Sequence, residues 1–429
     1  MREWKRNGAI VDVSGVPVFV PLADLWALEG DTPPPSPIVS KGVDPGAAAA
    51  NRSIEALRFG IVPRESLQRL TIGIRELEAW VTSRLPDTRG GTATCSEVCG
   101  AFGAGKSHMM AAIRDIALRR HYVVAQVEID GETISLSSPG TLLYHICNSF
   151  AALDLESDTP LVELNMRAAD RNIEETRRRL EGFSGVSSNF ETVRFLAAED
   201  ELDEFTRELE SLMSGSDQFL PATIKKEILW KTDMTAAKYR RPVNLGPRRL
   251  VANAVSSRAY DFCRALLGYA ELVACAGYAG LVVTLDEFEV DVGYRDRKRV
   301  QRILDLLNVL IRFLWPNGGS ARIPLAMFFG TIGGDDNVGG TIVAQLLELA
   351  GGERRVLASW TEEHLLELAE RIHALYVEAY SLRDAFDLAA ATGVLSTIDG
   401  EDAGESGQVR AFIKHWVAHL DQRHGPPNA

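Results

Sequence analysis

The segment that most constrains the fold is Gly100-Ala-Phe-Gly-Ala-Gly-Lys-Ser107, which fits the pattern G-x-x-x-x-G-K-[S/T]. Glycines at these positions let the backbone curl until successive N–H groups point toward a phosphate group. The lysine then reaches the outer phosphates of a nucleotide, and the serine hydroxyl binds Mg²⁺. An apolar strand predicted over about 92–98 enters the segment, and a helix predicted over about 106–120 leaves it, as this geometry requires.

We therefore predict a phosphate-binding loop, hereafter the loop, formed by Gly100, Ala101, Phe102, Gly103, Ala104, Gly105, Lys106 and Ser107. The alternative interpretation is a glycine-rich turn that contains a lysine by coincidence. The strand before the segment and the helix after it favour the loop, because the mechanism needs both.

A second motif is Leu281-Val-Val-Thr-Leu-Asp-Glu287. Its apolar run predicts a buried strand whose carboxyl end presents two adjacent carboxylates. In this interpretation Asp286 holds Mg²⁺, while Glu287 orients and deprotonates the attacking water. The alternative is a pair of strand-end carboxylates that faces solvent. The position of the motif, on the next long apolar strand after the loop region, favours catalysis.

A third apolar strand, predicted over about 323–330, ends next to Thr331. We expect this strand to lie beside the other two, where a polar side chain could contact the γ-phosphate or the attacking water. The alternative for Thr331 is a threonine that merely precedes a glycine turn. The sequence contains no Asn-Lys-x-Asp motif, which guanine recognition would require, so ATP is the predicted nucleotide.

Apolar strands separated by helices predict an α/β fold with a parallel sheet covered on both faces. The gap between Ser107 and Asp286 far exceeds one helical crossover, so we predict a helical insertion over about 154–250. Residues 1–50 are predicted to form an extension with short strands and a proline-rich linker. The core is then predicted over 51–355, and a helical lid over 356–429, since everything after Gly339-Gly340 is predicted helical.

The composition excludes several classes of protein. A formal net charge of −13 argues against coating nucleic acid by bulk charge, although it permits a local basic groove. Five sparse cysteines do not indicate a disulfide framework, so a cytoplasmic location is expected. We find neither a signal-peptide pattern nor an uncharged apolar stretch of about 20 residues, so no membrane association is predicted.

A basic stretch over 225–258 interleaves cations with Trp230 and Tyr239. Its cations are Lys225, Lys226, Lys231, Lys238, Arg240, Arg241, Arg248, Arg249 and Arg258. One hypothesis is a DNA-binding surface that follows phosphates and stacks bases on aromatic rings. The alternative is a solvated face, or a patch that pairs with the acidic run over 199–204.

The loop and the Asp286-Glu287 pair resemble the AAA+ ATPases, a class of P-loop NTPases, particularly their origin-recognition and STAND-like branch. The segment Asn51-Arg-Ser-Ile-Glu-Ala-Leu-Arg-Phe-Gly-Ile-Val-Pro-Arg64 looks like the start of the ATP-binding protein family of bacteriophage-exclusion (BREX) defence loci, called BrxD. Also similar to that family are His108-Met109, Leu285-Asp-Glu-Phe-Glu289 and Val409-Arg-Ala-Phe-Ile-Lys414. The resemblance covers about residues 51–422.

This resemblance implies an adenine pocket near Val62, Pro63 and Arg64, and nucleotide contact at His108. It also implies a C-terminal helical lid after about residue 355. Arg410 looks like the lid arginine that senses the phosphate. By the same resemblance, Arg354 and Arg355 look like the place from which a neighbouring copy in a homo-oligomer would receive an arginine finger. The alternative for each arginine is a solvated surface residue.

Our leading hypothesis is an AAA+-like ATPase that couples hydrolysis of Mg·ATP to DNA transactions or complex assembly in phage defence, with other defence-system proteins as partners. Lys106 would bind phosphate, Ser107 and Asp286 would bind Mg²⁺, and Glu287 would be the general base. Thr331 and Arg410 would sense the γ-phosphate. The alternative is a nucleotide-switched scaffold in which ATP occupancy orders a partner-binding surface and turnover is incidental.

Overall fold

The computed structural model describes residues 8–13, 16–21, 45–86, 91–101, 103–155, 157–214, 228, 259–287, 297–314, 322–332, 352–357, 360–398 and 408–424. The chain separates into two compact units, Met1–Ala48 and Ala49–Ala429.

In the first unit, β1 (Gly8–Val13) and β2 (Val16–Pro21) pair as an antiparallel hairpin. Gly8 pairs with Pro21 at the open end and Val13 pairs with Val16 at the closed end. Two residues therefore join the strands, a length typical of tight hairpins. The two short strands predicted on either side of Ser14-Gly15 are confirmed.

The second unit contains a five-stranded sheet and most of the helices. Its strands are β3 (Thr94–Gly100), β4 (Val123–Glu128), β5 (Leu281–Asp286), β6 (Leu325–Ile332) and β7 (Glu353–Val356). The helices before β5 are α1 (Pro45–Arg58), α2 (Leu67–Leu70), α3 (Ile74–Arg84), α4 (Lys106–Arg119), α5 (Pro139–Asn148), α6 (Pro160–Leu180), α7 (Ser184–Ala198), α8 (Leu202–Ser214) and α9 (Ala259–Cys275). The helices after β5 are α10 (Arg297–Leu314), α11 (Glu362–Ala379), α12 (Leu388–Thr397) and α13 (Gln408–His424).

All neighbouring strands of this sheet pair in parallel, in the spatial order β4-β5-β6-β3-β7. The predicted α/β parallel sheet is therefore confirmed. Strand β6 lies between β3 and β5 and pairs with both, which confirms the expectation that it lies beside these two strands. The carboxyl ends of β3, β5 and β6 consequently meet at one edge of the sheet.

Alternate residues of the central strands pack into two different hydrophobic clusters. Val283 and Met327 belong to a cluster with helices α5–α10, whereas Val282 and Phe328 belong to a cluster with α3 and α4. Helices therefore cover both faces of the sheet. This burial on both sides explains why the strands are almost continuously apolar in sequence.

The prediction that everything after Gly339-Gly340 is helical is wrong at β7. Glu353–Val356 forms an edge strand that pairs with β3, with Arg354 in register with Glu97. The segment Glu-Arg-Arg-Val lacks an apolar run because its residues are half-buried or exposed. It is held by backbone pairing and by a hydrogen bond from Trp80 Nε1 to Glu353, interactions that a hydrophobic pattern does not reveal.

A third hydrophobic cluster, hereafter the C-terminal helical cluster, joins α1 to α11, α12 and α13. Trp416 is fully buried at its centre and its indole N–H donates to the carbonyl of Ala369 at 3.0 Å. Arg58 of α1 pairs with Asp421 of α13 at 2.6 Å. Helix α1 thus packs with helices that lie more than three hundred residues later in the chain.

Within the predicted helical insertion, the structure has α6, α7 and α8 over 160–214. Glu210 of α8 accepts hydrogen bonds from the backbone N–H groups of Leu161 and Val162 at 3.0 and 2.9 Å. These donors lie in the first turn of α6, where backbone N–H groups lack helical partners. Of the basic stretch over 225–258, only Ile228 falls within the described residues, so the DNA-binding hypothesis lies outside them.

We expect the chain to become less stable as the pH rises through about 7, because burial raises the pKa of Glu210 from 4.5 to about 7. A raised carboxyl pKa gives stability that is complete below the unfolded-state pKa and is lost above the folded-state pKa. Between about pH 5 and about pH 8, the free energy of unfolding should fall by up to about 3 kcal/mol. Chemical denaturation of the parent chain at both pH values measures this change.

The matched variants are Glu210→Gln, which cannot ionise, and Glu204→Gln, which changes an exposed carboxylate of the same helix. The pH dependence should become shallower in Glu210→Gln and stay at the parent level in Glu204→Gln. An equal pH dependence in all three proteins would contradict the assignment to Glu210.

Candidate functional site

A cavity of about 520 Å³ opens at the carboxyl edge of the sheet, within the second unit. Its charged and loop residues include Gly105, Lys106, Ser107, Asp286, Glu287 and Arg410. We call this group the phosphate side, because it contains the residues predicted to bind phosphate and Mg²⁺. Its apolar lining residues, hereafter the apolar side, include Leu57, Val62, Pro63, Ile72, Leu368 and Ile413. An elongated ligand with a charged end and a flat apolar end matches this division.

The loop adopts the curled backbone that its glycines predict. Gly103 and Gly105 have φ values of 82° and 99°, in the left-handed region that side chains disfavour. A Cβ atom on Gly100 would lie 3.1 Å from side-chain atoms of both Ala104 and Leu357. Glycine at these positions therefore serves both conformation and packing. Phe102 lies outside the described residues.

Helix α4 begins at Lys106, directly after Gly105, and no side chain caps its first turn. The first N–H groups of a helix have no helical partner, so this terminus is suited to an anion. The Lys106 side chain is 7% exposed, and its Nζ lies 3.3 Å from the carbonyl oxygens of both Gly100 and Ala101. These carbonyls thus hold the ammonium group over the loop, although Gly100 and Ala101 do not themselves line the cavity.

Asp286 is the last residue of β5 and is 5% exposed, while Glu287 directly follows the strand. Asp286 Oδ1 accepts the backbone N–H of Glu287 at 3.0 Å. Glu287 has a φ of 56°, an uncommon conformation for a residue with a side chain, and such strain concentrates at functional sites. Both carboxylates line the cavity together with Ser107.

The pKa of Glu287 is raised, first by burial and then by the negative charges of Glu128 and Asp286. Lys106 and Arg410 act in the opposite direction. Glu128 ends β4 and is in register with Asp286 on the neighbouring strand. Sequence reasoning did not identify Glu128, although its place at the end of an apolar strand was a usable signal.

Gly330 of β6 was also missed, and it leaves space for the Asp286 side chain. A Cβ atom at this position would collide with Asp286 Oδ1 and would lie 3.1 Å from Met110 Cε. The absence of a side chain on β6 therefore allows the Asp286 carboxylate to occupy its observed position.

We expect Gly330→Ala to displace Asp286, lower the free energy of unfolding by about 1–3 kcal/mol and weaken binding of Mg·ATP. Gly393→Ala is the matched control, since nothing lies within 4 Å of its added Cβ. Alanine within α12 should stabilise that helix by about 0.5–1 kcal/mol without changing nucleotide binding. Parent-like stability and binding in Gly330→Ala would contradict the contact with Asp286.

The cavity lining includes two of the three residues expected for the adenine pocket. Val62 and the buried Pro63 line the apolar side, whereas Arg64 is exposed and does not line the cavity. Helices of the C-terminal helical cluster supply the facing wall, through Leu368 of α11 and Ile413 of α13.

The three arginines singled out from the sequence occupy different environments. Arg410, in the first turn of α13, lines the cavity near Glu287. Arg355 also lines it, and its guanidinium lies 5.3 Å from the centre of the Trp80 ring. Arg354 does not line it: its Nε lies 3.0 Å from Glu97, a fully buried residue of β3.

Thr331 lies in β6, not after it, and its side chain does not line the cavity. The side chain is fully buried, and its hydroxyl donates a hydrogen bond to Glu97 Oε1. Thr331 therefore belongs, with Arg354, to a polar network around Glu97. Its expected contact with the γ-phosphate does not agree with this geometry, because the hydroxyl faces a neighbouring strand.

His108 follows Ser107 in the first turn of α4 and lines the cavity. Its Nε2 lies 2.8 Å from the hydroxyl oxygen of Thr71, a residue that sequence reasoning did not single out. Burial lowers the pKa of His108 to about 4, so the imidazole is uncharged at neutral pH. The cation in the first turn of α4 is therefore Lys106, not His108.

Comparison with known proteins addresses the part of the chain that carries the loop. Residues 47–152 match the model of a family described as BREX system ATP-binding protein BrxC/D. The resemblance to BREX ATP-binding proteins is thereby confirmed over these residues. The match includes most of α1, the loop and β4, but ends before Asp286 and Glu287. No curated protein matches the chain.

The Ser107 hydroxyl and the Asp286 carboxylate, the two groups predicted to hold a cation, both line the cavity. Both are hard oxygen donors, which fit Mg²⁺. Within the described ranges, no group of three or more His, Cys, Asp or Glu residues could hold a metal ion by itself. Such a sparse donor set fits an ion that is shared with ligand phosphates.

Across the part of the chain that the structure describes, none of the helices combines the length and the apolar character needed to cross a membrane.

Proposed function

We propose that the chain binds Mg·ATP in this cavity and hydrolyses its γ-phosphate by attack of water. One observation carries the proposal: Lys106 and Ser107, from the loop, line the same cavity as Asp286 and Glu287, from the end of β5. The strand order supports it, because β6 separates the two strands and spaces the loop from the carboxylates. This arrangement is consistent with an AAA+-like P-loop NTPase.

The roles of the residues follow from their positions. Lys106 and the first N–H groups of α4 would neutralise the phosphates, while Arg410 approaches the same side of the cavity from α13. Ser107 and Asp286 would hold Mg²⁺, which neutralises charge on the phosphates when it is bound. Glu287 would orient the attacking water and take its proton, a role consistent with its raised pKa.

The family match supports both the nucleotide and the biological setting of the proposal. The matched family is described as ATP-binding and as part of the BREX system, and residues 47–152 include the whole loop. We therefore propose a role in phage defence, together with other defence-system proteins. Coupling to DNA is part of the proposal through the basic stretch over 225–258.

One contact offers a route from the loop to the C-terminal helical cluster: the indole N–H of Trp360 donates to the carbonyl of Ala104 at 3.2 Å. Close by, the backbone N–H of Leu357 donates to the carbonyl of Cys99, the residue before the loop, at 2.7 Å. Trp360 lies two residues before α11 and packs against the C-terminal helical cluster. A change in the loop on nucleotide binding could thus reach these helices.

The contact between Trp360 and Ala104 also favours a second candidate, a nucleotide-switched scaffold. In this case ATP binding would reposition the C-terminal helical cluster for a partner, and turnover would be incidental. The two candidates differ in their rate of ATP hydrolysis. A coupled ATPase hydrolyses ATP faster when the nucleic acid or protein on which it acts is present, whereas a switch remains in the ATP-bound state.

The test is an ATPase assay with DNA, with RNA and without nucleic acid, combined with size measurement with and without ATP. If DNA stimulates hydrolysis, and if this stimulation decreases as the salt concentration rises, coupling to DNA is supported. Slow turnover with ATP-dependent capture of partners would support the scaffold. Absence of ATP binding would contradict both candidates.

A further inference from the structure

We propose that His108 and Thr71 form a clip, a hydrogen-bonded pair that fixes the apolar side of the cavity relative to the loop. His108 is then a positioning residue for the base of the nucleotide, not a ligand of its phosphates. This inference rests on the proposed function, because it assigns a role within ATP binding.

The direction of the hydrogen bond follows from its neighbours. The Thr71 hydroxyl donates its single hydrogen to the carbonyl of Leu67 at 2.7 Å. The contact of 2.8 Å between Thr71 Oγ1 and His108 Nε2 must therefore use a hydrogen on the imidazole. His108 is the donor, and a side chain without a donor at this place would leave the bond unmade.

Thr71 begins the segment 71–73, which joins α2 to α3 and lines the cavity with all three of its residues. The segment is also held by a helix of the C-terminal helical cluster. Arg371 of α11 donates to the carbonyl oxygens of Thr71 and Arg69 at 2.9 and 3.1 Å. The segment is thus fixed between α4, which begins at the loop, and the C-terminal helical cluster.

A nucleotide that spans the cavity needs the apolar side and the phosphate side of the cavity at a fixed separation. His108 lies one residue after Ser107 and bonds to a segment that includes Ile72 of the apolar side, so it joins the two sides directly. Holding both sides in place before binding lowers the cost of ordering them on binding. A phosphate chain without a base needs the phosphate side of the cavity but not its apolar side.

The experiment compares binding of Mg·ATP and of Mg·tripolyphosphate by calorimetry in the parent, His108→Leu, Thr71→Val and the double variant. In both single variants ATP affinity should fall roughly fivefold to tenfold, as expected for one partly buried hydrogen bond, while tripolyphosphate affinity stays unchanged. The double variant should be no weaker than either single variant, because both remove the same bond.

Two conservative variants test for rescue. His108→Gln places an amide donor near the position of Nε2, and Thr71→Ser keeps the hydroxyl, so both should bind ATP nearly as the parent does. Thermal denaturation without nucleotide checks the fold of each variant. If His108→Leu does not fold, Thr71→Val, which keeps the shape of the side chain, carries the comparison.

Parent-like ATP affinity in His108→Leu and Thr71→Val would overturn the clip. An equal loss for ATP and tripolyphosphate would also overturn it, because His108 would then act on the loop itself. A parent chain that binds no ATP would overturn the proposed function and the clip together, whereas the first two results leave the proposed function intact.

Discussion

Lys106→Ala is expected to weaken ATP binding by roughly a hundredfold or more, because each charge-assisted hydrogen bond to phosphate is worth about 1.5–3 kcal/mol. The Lys106 ammonium is held over the loop by two backbone carbonyls and faces the phosphate side of the cavity. No other lysine lines the cavity among the residues that the structure describes. Calorimetric titration with Mg·ATP measures the loss.

The matched control is Lys298→Ala, which removes an exposed lysine from the first turn of α10, away from the cavity lining. It should bind ATP as the parent does. Thermal denaturation of both variants separates lost binding from lost folding. If folded Lys106→Ala bound Mg·ATP with parent affinity, the loop would not be the phosphate site.

The sequence was most informative where one local pattern carries the chemistry. The loop needs glycines and a lysine at fixed spacing, so the pattern between Gly100 and Ser107 predicts both the backbone curl and the start of α4. The continuous apolar character of β5 likewise predicts a strand buried on both faces, with Asp286 at its end. These features depend on neighbours in the chain.

Features that depend on residues distant in the chain were not predictable from local patterns. Strand β7 is an edge strand without an apolar run, and Arg354 faces Glu97 only because β7 pairs with β3. The sequence predicted that β6 lies beside β3, but it did not show that the Thr331 hydroxyl meets the buried Glu97, which lies 234 residues earlier in the chain. That contact depends on which face of each strand the two side chains occupy.

The apolar side of the cavity was only partly predictable, because it too combines residues that are distant in the chain. Resemblance placed Val62 and Pro63 there. Other lining residues come from α11 and α13, which pack with α1 although they lie near the opposite end of the chain. The hydrophobic pattern shows that each of these helices buries one face. It does not show which helices meet, and that choice determines the shape of the site.

Glu287→Gln is expected to slow ATP hydrolysis by roughly a hundredfold to ten-thousandfold, the usual effect of losing a general base. Glutamine keeps the size and shape of the side chain at this position of positive φ, but it cannot take a proton from water. Binding should persist or tighten, because the change removes a negative charge beside Asp286 and the phosphates.

A single-turnover assay that separates bound ATP from bound ADP measures this effect, since the variant should retain uncleaved ATP. Glu363→Gln, an exposed change in the first turn of α11, should hydrolyse ATP at the parent rate. If Glu287→Gln also turned over at the parent rate, the base would be another group. Glu128, in register with Asp286, would then be the next carboxylate to replace, because it ends the strand beside β5.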